Sequence, residues 1–353
     1  MKFLLIIGLS ILCYGCFEIF AKKANTSSNP PVSSDSLKIG GLTFVAPPKS
    51  FSGNPMNEIN SIGANWIAVI PYGFTMLGKP EVHYKEFGGQ WWGEKPEGIR
   101  KTIQLAHDAG LKVMLKPQVY VPGSWTGSLS FEKKEDWEKW ESSYISYLDK
   151  MLIIAKELKV EMFCIGTEFS MSTSQRPEFW HQLIKKIKTE YDGKLTYSSN
   201  WDNFEKIPFW KELDYIGVSA YFSIAEGKTP KTDDLIKGWK SHFNKLKSIS
   251  DSIKKPVLFT EYGYLSVDGC AWKGWEVESK VNETPINEQA QANALGALWT
   301  VFHQEPWWAG GFLWKWFPEM QGHEGYPERD YSPQGKIGAD TLKKWHSTYC
   351  HQN

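Results

Sequence analysis

The chain has 353 residues, and its 40 Lys and Arg balance 40 Asp and Glu. That balance leaves no long-range field toward a polyanion, so nucleic acid is not an expected partner. Its 18 Trp, 15 Tyr and 19 Phe supply flat amphipathic rings that suit either sugar faces or a large core.

The first element is "MKFLLIIGLSILCYGCFEIF": one Lys, an apolar stretch from Phe3 to Tyr14, then Gly15-Cys16. It is too short and too poorly flanked for a membrane span and reads as an export signal over residues 1–16. Gly before Cys resembles a bacterial lipoprotein cleavage box, although Cys13 and Tyr14 fit that box poorly. Cys16 is then the expected lipidated first residue of a cell-surface or periplasmic lipoprotein, with plain secretion or an uncleaved anchor as the alternatives. A lipid on Cys16 is the one membrane contact expected. Residues 17–37, with "KKANTSSNPPVSSDS", have almost nothing to bury and read as a flexible linker.

Residues 38–353 read as one domain in which short β-rich runs alternate with helical patterns. The strand candidates are "KIGGLTFVAP", "ANWIAVIPYG", "KVMLKPQVYV", "VEMFCIGTEF", "KLTYSSNWDN", "LDYIGVSAYF", "PVLFTEYGYL" and "WAGGFLWKWF". Among the helical stretches, "PEGIRKTIQLAHDAG" sets Ile99, Ile103 and Ala106 on one face and ends at Gly110. "KEDWEKWESSYISYLDKMLIIAKEL", "RPEFWHQLIKKIKTEY", "DDLIKGWKSHFNKLKSISDSI" and "NEQAQANALGALWTVFHQ" follow the same period. The stretch near "FEKIPFWKEL" is brief. Eight strands alternating with helices, most apolar on both faces, predict an α/β fold: a closed (β/α)8 TIM barrel forming a single domain. An open doubly wound sheet is disfavoured because no glycine-rich phosphate loop follows the first strand.

In such a barrel the C-terminal strand ends converge on one mouth. They nominate Lys116 and Gln118 on strand three, Glu168 on strand four, Asn200 and Trp201 on strand five, and Tyr221 on strand six. Strand seven adds Glu261 and Tyr262, and strand eight Trp314 and Trp316. A single carboxylate there is as readily a helix cap or half of an ion pair. Two, on strands four and seven, lie on roughly opposite sides of the mouth and can bracket a sugar ring, as retaining glycosidases require. Lys116 and Gln118 have heads suited to sugar hydroxyls, with an ion pair to a site carboxylate the equal alternative for Lys116. Trp92, with Trp91, in "FGGQWWGEKPEG" can stack on neighbouring sugars or fold onto the barrel; Trp272 and Trp275 are weaker candidates of the same kind.

No Cys or His cluster has metal-ligand spacing, so neither metal nor cofactor is expected. Cys164 reads as a small buried residue, while Cys270 and Cys350 can pair only if the fold brings them together. The acidic residues of "PEMQGHEGYPERDYSPQGK" are expected to order a solvated loop.

The motifs "MLKPQV", "IGTEF", "YSSNW", "FTEYGY" and "YSPQGK" resemble glycoside hydrolase family 113, within the large clan of retaining (β/α)8 glycosidases, over about Ile39 to Trp345. Characterised members of that family are β-mannanases. The resemblance implies Glu168 as acid/base and Glu261 as nucleophile, acting on β-1,4-mannosidic bonds of mannan, glucomannan or manno-oligosaccharides. Many clan members have Asn before the acid/base; this chain has Thr167, which favours family 113. The resemblance also implies that Tyr221 donates to Glu261 unless it is a buried Tyr bonded elsewhere, that Trp314 floors the sugar being cleaved unless it packs in the core, and that Asn200 donates to the sugar unless it merely starts a turn. Hydrolysis of another β-linked glycan and a non-catalytic sugar-binding barrel are the competing expectations.

Overall fold

A computed structural model describes residues 37–84 and 90–351. The expected signal peptide lies outside the described residues, as does the linker apart from Leu37. Eight parallel strands close in sequence order into one barrel: β1 (Ile39–Phe44), β2 (Trp66–Val69), β3 (Lys112–Leu115), β4 (Met162–Thr167), β5 (Lys194–Asn200), β6 (Ile216–Ser219), β7 (Val257–Tyr262) and β8 (Trp308–Trp316), which pairs with β1. Helices α1 (Met56–Ser61), α2 (Pro96–Asp108), α3 (Lys134–Glu157), α4 (Ser170–Gln175), α5 (Pro177–Glu190), α6 (Thr232–Ile253), α7 (Gly274–Glu278), α8 (Glu288–Phe302) and α9 (Ile337–Tyr349) accompany them. The connection from β5 to β6 holds two 3-10 turns, Phe204–Lys206 and Trp210–Glu212, as its sequence predicts.

Strand alternation sorts the core into two layers. Ala68, Met114, Met162, Cys164, Leu258 and Phe312 form one apolar cluster, while their strand neighbours Ile67, Val113, Phe163, Ile165 and Phe259 join the larger cluster with the helices. The first group fills the barrel interior. On α2, Ile99, Ile103 and Ala106 are the buried stripe that the period predicts.

Further toward the C-terminal strand ends, the inward positions turn polar. Ser198 Oγ lies 3.0 Å from Ser219 Oγ and 2.7 Å from Thr260 Oγ1, a closed set of hydroxyls buried on three adjacent strands. These groups satisfy one another, as buried polar groups must. The next inward positions carry charge.

Two strand candidates run through a proline, and both break there. Pro71 and Pro117 cannot donate to a ladder, so β2 stops at Val69 and β3 at Leu115. Beyond them Tyr72–Phe74 and Gln118–Tyr120 form a separate two-stranded parallel extension. Lys116 N still donates to Val69 O (2.8 Å) and Gln118 N to Pro71 O (2.9 Å), so the chain continues its course above the barrel rim.

Helix α9 is not among the helical patterns of the sequence because its buried residues are only Gly338, Leu342 and His346, too sparse an apolar stripe to register. The cysteines do not pair: Cys164, Cys270 and Cys350 are all buried free thiols. Cys350 Sγ sits beside Gly40 at the start of β1, at the foot of the barrel. Cys270 lies in the loop after β7, whose Ala271 O accepts from Ile224 N at the mouth.

Candidate active site

Lys116 and Gln118 are two residues apart on the inward parity of Met114, so both side chains rise from one wall of the barrel. They meet Glu261, at the end of β7 opposite. Lys116 Nζ contacts Glu261 Oε1, and Gln118 Nε2 donates to the same oxygen at 3.2 Å. Tyr221, two residues past β6, donates its hydroxyl to Glu261 Oε2 at 2.9 Å. Lys116 is 0% exposed, so its ammonium has exchanged water for this carboxylate. Of the two readings open for Lys116 in the sequence, the ion pair is the one present. Burial and the Glu261 charge push the Tyr221 hydroxyl well above the ordinary tyrosine range, so it stays a donor.

Glu168 follows the last residue of β4 and adopts φ +57°. This left-handed conformation costs a non-glycine residue about 1–2 kcal/mol, and it ends the strand. Glu168 N is held by Ser198 O at 2.7 Å. Beneath this turn Gly166 is needed for space: a Cβ there meets Trp180 Cη2 at 2.7 Å. Gly263 serves β7 likewise, since a Cβ comes within 2.5 Å of Trp314 O.

The Glu168 side chain is deep in the mouth yet partly open to solvent, and Oε2 accepts from Trp125 Nε1 at 2.7 Å. Burial first, and the Glu261 charge second, push its carboxyl up to about 7; the Trp125 hydrogen bond opposes the rise. Tyr72, Gln118, Thr126, Glu168, Glu261 and Trp314 are among the residues lining a shared cavity of about 160 Å³. The two carboxylates therefore face one enclosed space. Roomier hollows, such as about 470 Å³ along α5 beside His181 and Glu212, contain no strand-end residue.

A second polar knot stands behind Trp314. Lys315 contacts Glu324 and lies 3.8 Å from Asp330, so two of the acidic residues of the last loop serve that lysine, while Glu319 accepts from Ser52 N and Gly53 N and Glu328 pairs with Arg329. Among the described residues no three His, Cys, Asp or Glu groups are placed to hold a metal.

The remaining candidates scatter. Asn200 turns aside: its Nδ2 donates to Asp202 Oδ1 at 2.9 Å and its carbonyl accepts from Asn203 N, the turn alternative. Trp201 stacks on Trp275 rather than lining the cavity. Trp92 is also outside the cavity lining; its ring meets Phe51 edge-on at 5.2 Å, folded onto the barrel. Tyr262 points outward, where its hydroxyl accepts from Trp299 Nε1 at 3.3 Å. Trp316 is buried in the layer between barrel and helices. Trp125, the donor to Glu168, and Tyr72, in the cavity wall, are residues of the site that the sequence alone does not nominate. An exposed-type Trp inside the turn-rich "VPGSWTGSLS" after strand three was the available signal for the first.

The family model for Glycoside Hydrolase Family 113 matches residues 49–336. The chain belongs to that family. It is a glycoside hydrolase built on the family's (β/α)8 barrel. A family 113 β-mannanase from Alicyclobacillus acidocaldarius, solved in complex with ManMIm, is 27% identical with a TM-score of 0.75, over 88% of this chain and 98% of that one. A second family 113 β-1,4-mannanase structure, at 23% identity and TM-score 0.74 over 88% and 99% of the two chains, shares the fold. So does the Ruminococcus gnavus β-glucuronidase, at 15% identity and TM-score 0.60 over 88% of this chain and 50% of that one. No curated protein matches the family 113 chain by sequence.

The raised Glu168 carboxyl has a stability consequence. A carboxyl that titrates at about 7 when folded, against 4.5 ordinarily, binds its proton more tightly in the native state. Its ionisation therefore destabilises the fold progressively as pH rises from about 4.5 to about 7. Glu168→Gln is expected to raise the urea midpoint at pH 8 and leave it nearly unchanged at pH 4; an equal change at both contradicts this assignment of the raised carboxyl. Trp125→Phe removes a donor to the ionised form and moves the Glu168 titration, followed by infrared difference spectroscopy, to higher pH.

Proposed function

We propose that this enzyme hydrolyses β-1,4-mannosidic bonds with net retention, using Glu261 as nucleophile and Glu168 as acid/base. The observation that supports the roles most is the unequal company of the two glutamates around one cavity. Glu261 accepts from Lys116, Gln118 and Tyr221, a set of donors that suits a carboxylate. Glu168 sits where burial and a neighbouring negative charge favour the proton.

In the first step a Glu261 oxygen attacks the anomeric carbon. The bond to the leaving oxygen breaks as Glu168 gives that oxygen its proton. A glycosyl ester on Glu261 results, and Glu168 is left ionised. Glu168 then takes a proton from water, the hydroxide adds to the anomeric carbon, and Glu261 departs as carboxylate. Lys116, Gln118 and Tyr221 hold the nucleophile's orientation and stabilise its departing charge. Trp314, half-buried in the cavity wall, provides the apolar floor of the cleaved sugar.

The mannan substrate class is supported by membership of family 113 and by likeness to the Alicyclobacillus β-mannanase. Purified protein is expected to release oligosaccharides from mannan and glucomannan, with xylan and mixed-linkage glucan cut more slowly. Glu168→Gln and Glu261→Ala each lower kcat by about 10²–10⁴-fold. Azide restores turnover to both, giving the α-glycosyl azide with Glu261→Ala; hydrolysis that survives either substitution rejects the roles.

We further propose that the enzyme is exported and held at the bacterial surface or in the periplasm by a lipid on Cys16. Support comes from the Lys2-led apolar run ending in Gly15-Cys16. No described helix is long and apolar enough to cross a membrane. Cells expressing the full chain are expected to incorporate labelled palmitate into it. Cys16→Ser abolishes that labelling; a labelled Cys16→Ser chain contradicts the lipid site.

A further inference from the structure

All four exposed tryptophans among the described residues, Trp91, Trp125, Trp272 and Trp275, sit on connections that follow strand C-terminal ends, Trp275 in the short helix α7 after β7. Trp275 is distinctive because another tryptophan supports it. It stacks on Trp201 with ring centroids 5.4 Å apart and planes 15° apart. Trp201 rests edge-on against buried Phe222 at 6.0 Å, and Phe222 against Trp239 of the core at 5.5 Å. This column of four rings rises from the barrel's outer layer to the mouth, and its top ring is 44% exposed.

The column is held rigidly. Trp275 belongs to α7, whose start is fixed by Lys273 N donating to Ser223 Oγ at 2.9 Å. At the far end of the same helix Glu278 Oε2 accepts from Tyr331 at 3.2 Å, and the Tyr331 ring lies 6.0 Å from Tyr221, the donor to Glu261. The α7 helix therefore links the exposed ring to the residues that orient Glu261.

Its position is complementary to the cavity. The cavity lining comes from the segments at and after β2, β3, β4, β7 and β8, with none from β5 or β6. Trp201 directly follows β5, one residue above the level where Asn200 pairs with Ser219. At about 160 Å³ the cavity is well below the roughly 300–1,000 Å³ that encloses a drug-sized ligand, so most of a polymer must lie outside it. A flat, pre-ordered indole is the surface that a hexose face stacks on at low entropic cost.

We propose that the Trp275–Trp201 stack is a distal sugar-binding platform, which takes a unit of the β-linked glycan chain beyond the enclosed ring. The inference rests on the glycan-hydrolase reading above. Its signature is a dependence on chain length, since remote contacts act only on substrates long enough to reach them.

The test compares Trp275→Ala and Trp275→Phe with wild type on β-1,4-manno-oligosaccharides of two to six units, with the unfolding temperature of each variant measured alongside. Trp275→Ala is expected to lower kcat/KM for the longest substrates about tenfold and to leave the shortest cleaved one within about twofold, a difference Trp275→Phe largely restores. An equal loss at every length, or no loss, overturns the platform while leaving the hydrolase reading intact. If wild type cleaves no mannoside, that reading of the substrate fails instead. The platform is then judged by affinity electrophoresis of wild type and Trp275→Ala in gels containing mannan, glucomannan or mixed-linkage glucan: retardation weakened by the substitution supports it, and equal mobility in every gel overturns it.

Discussion

The site depends on a lysine buried against a carboxylate. Lys116 has no exposed surface and contacts Glu261. Removing one member of a buried ion pair typically costs about 3–5 kcal/mol, because the partner is left uncompensated. Neither residue is therefore independent of the other. The pair also needs its own scaffold: Pro117 ends the third strand's ladder, and the chain continues so that Lys116 and Gln118 both reach across the barrel. Tyr221 completes the set from the other side. The Glu261 carboxylate is thereby aimed by three donors from two walls of the barrel.

The same pair shapes the second carboxyl. Burial first, and the charge of Glu261 across the mouth second, drive Glu168 toward neutrality. Identical side chains thus diverge through their neighbours, one receiving an ammonium and the other an indole N–H. The barrel interior is graded to make this possible. Apolar side chains fill its foot, mutually bonded hydroxyls of Ser198, Ser219 and Thr260 form the middle, and charge appears only at the rim. The charged groups sit above the apolar layers, which carry the fold.

Much of this was legible in the sequence because strand period and barrel topology are strongly coupled. Eight β-rich runs located the strands, and closure then converted strand ends into neighbours. Lys116, Gln118, Glu168, Tyr221, Glu261 and Trp314 are brought together in that way. Side-chain choice beyond the strand ends was less legible, since loops set it. Trp125 reaches Glu168 through a turn whose direction no periodicity encodes. Asn200 prefers its near neighbour Asp202, a competition typical of Asn at a turn. Trp92 falls back on Phe51, as an aromatic does when a neighbouring ring can bury it. Tyr262 is turned outward by an irregularity that no period encodes: with Leu258 and Thr260 inward, strict alternation would turn Glu261 away from the mouth, but the register of β7 shifts there, so Glu261 faces Lys116 and Tyr262 faces Trp299.

Membership of family 113 agrees with this geometry, and the aromatic excess in the composition divides between it and the core. Trp140, Trp180, Trp239 and Trp299 are fully buried, whereas the exposed tryptophans lie on the connections that follow β2, β3 and β7. The central claim is that Glu261, held by Lys116, is the atom source of the covalent bond to sugar. The most direct measurement is mass spectrometry of peptides after reaction with a slow 2-deoxy-2-fluoro-mannosyl fluoride. The account predicts one added glycosyl mass on the peptide containing Glu261, lost in Glu261→Ala; a label on Glu168 or on any other residue contradicts it.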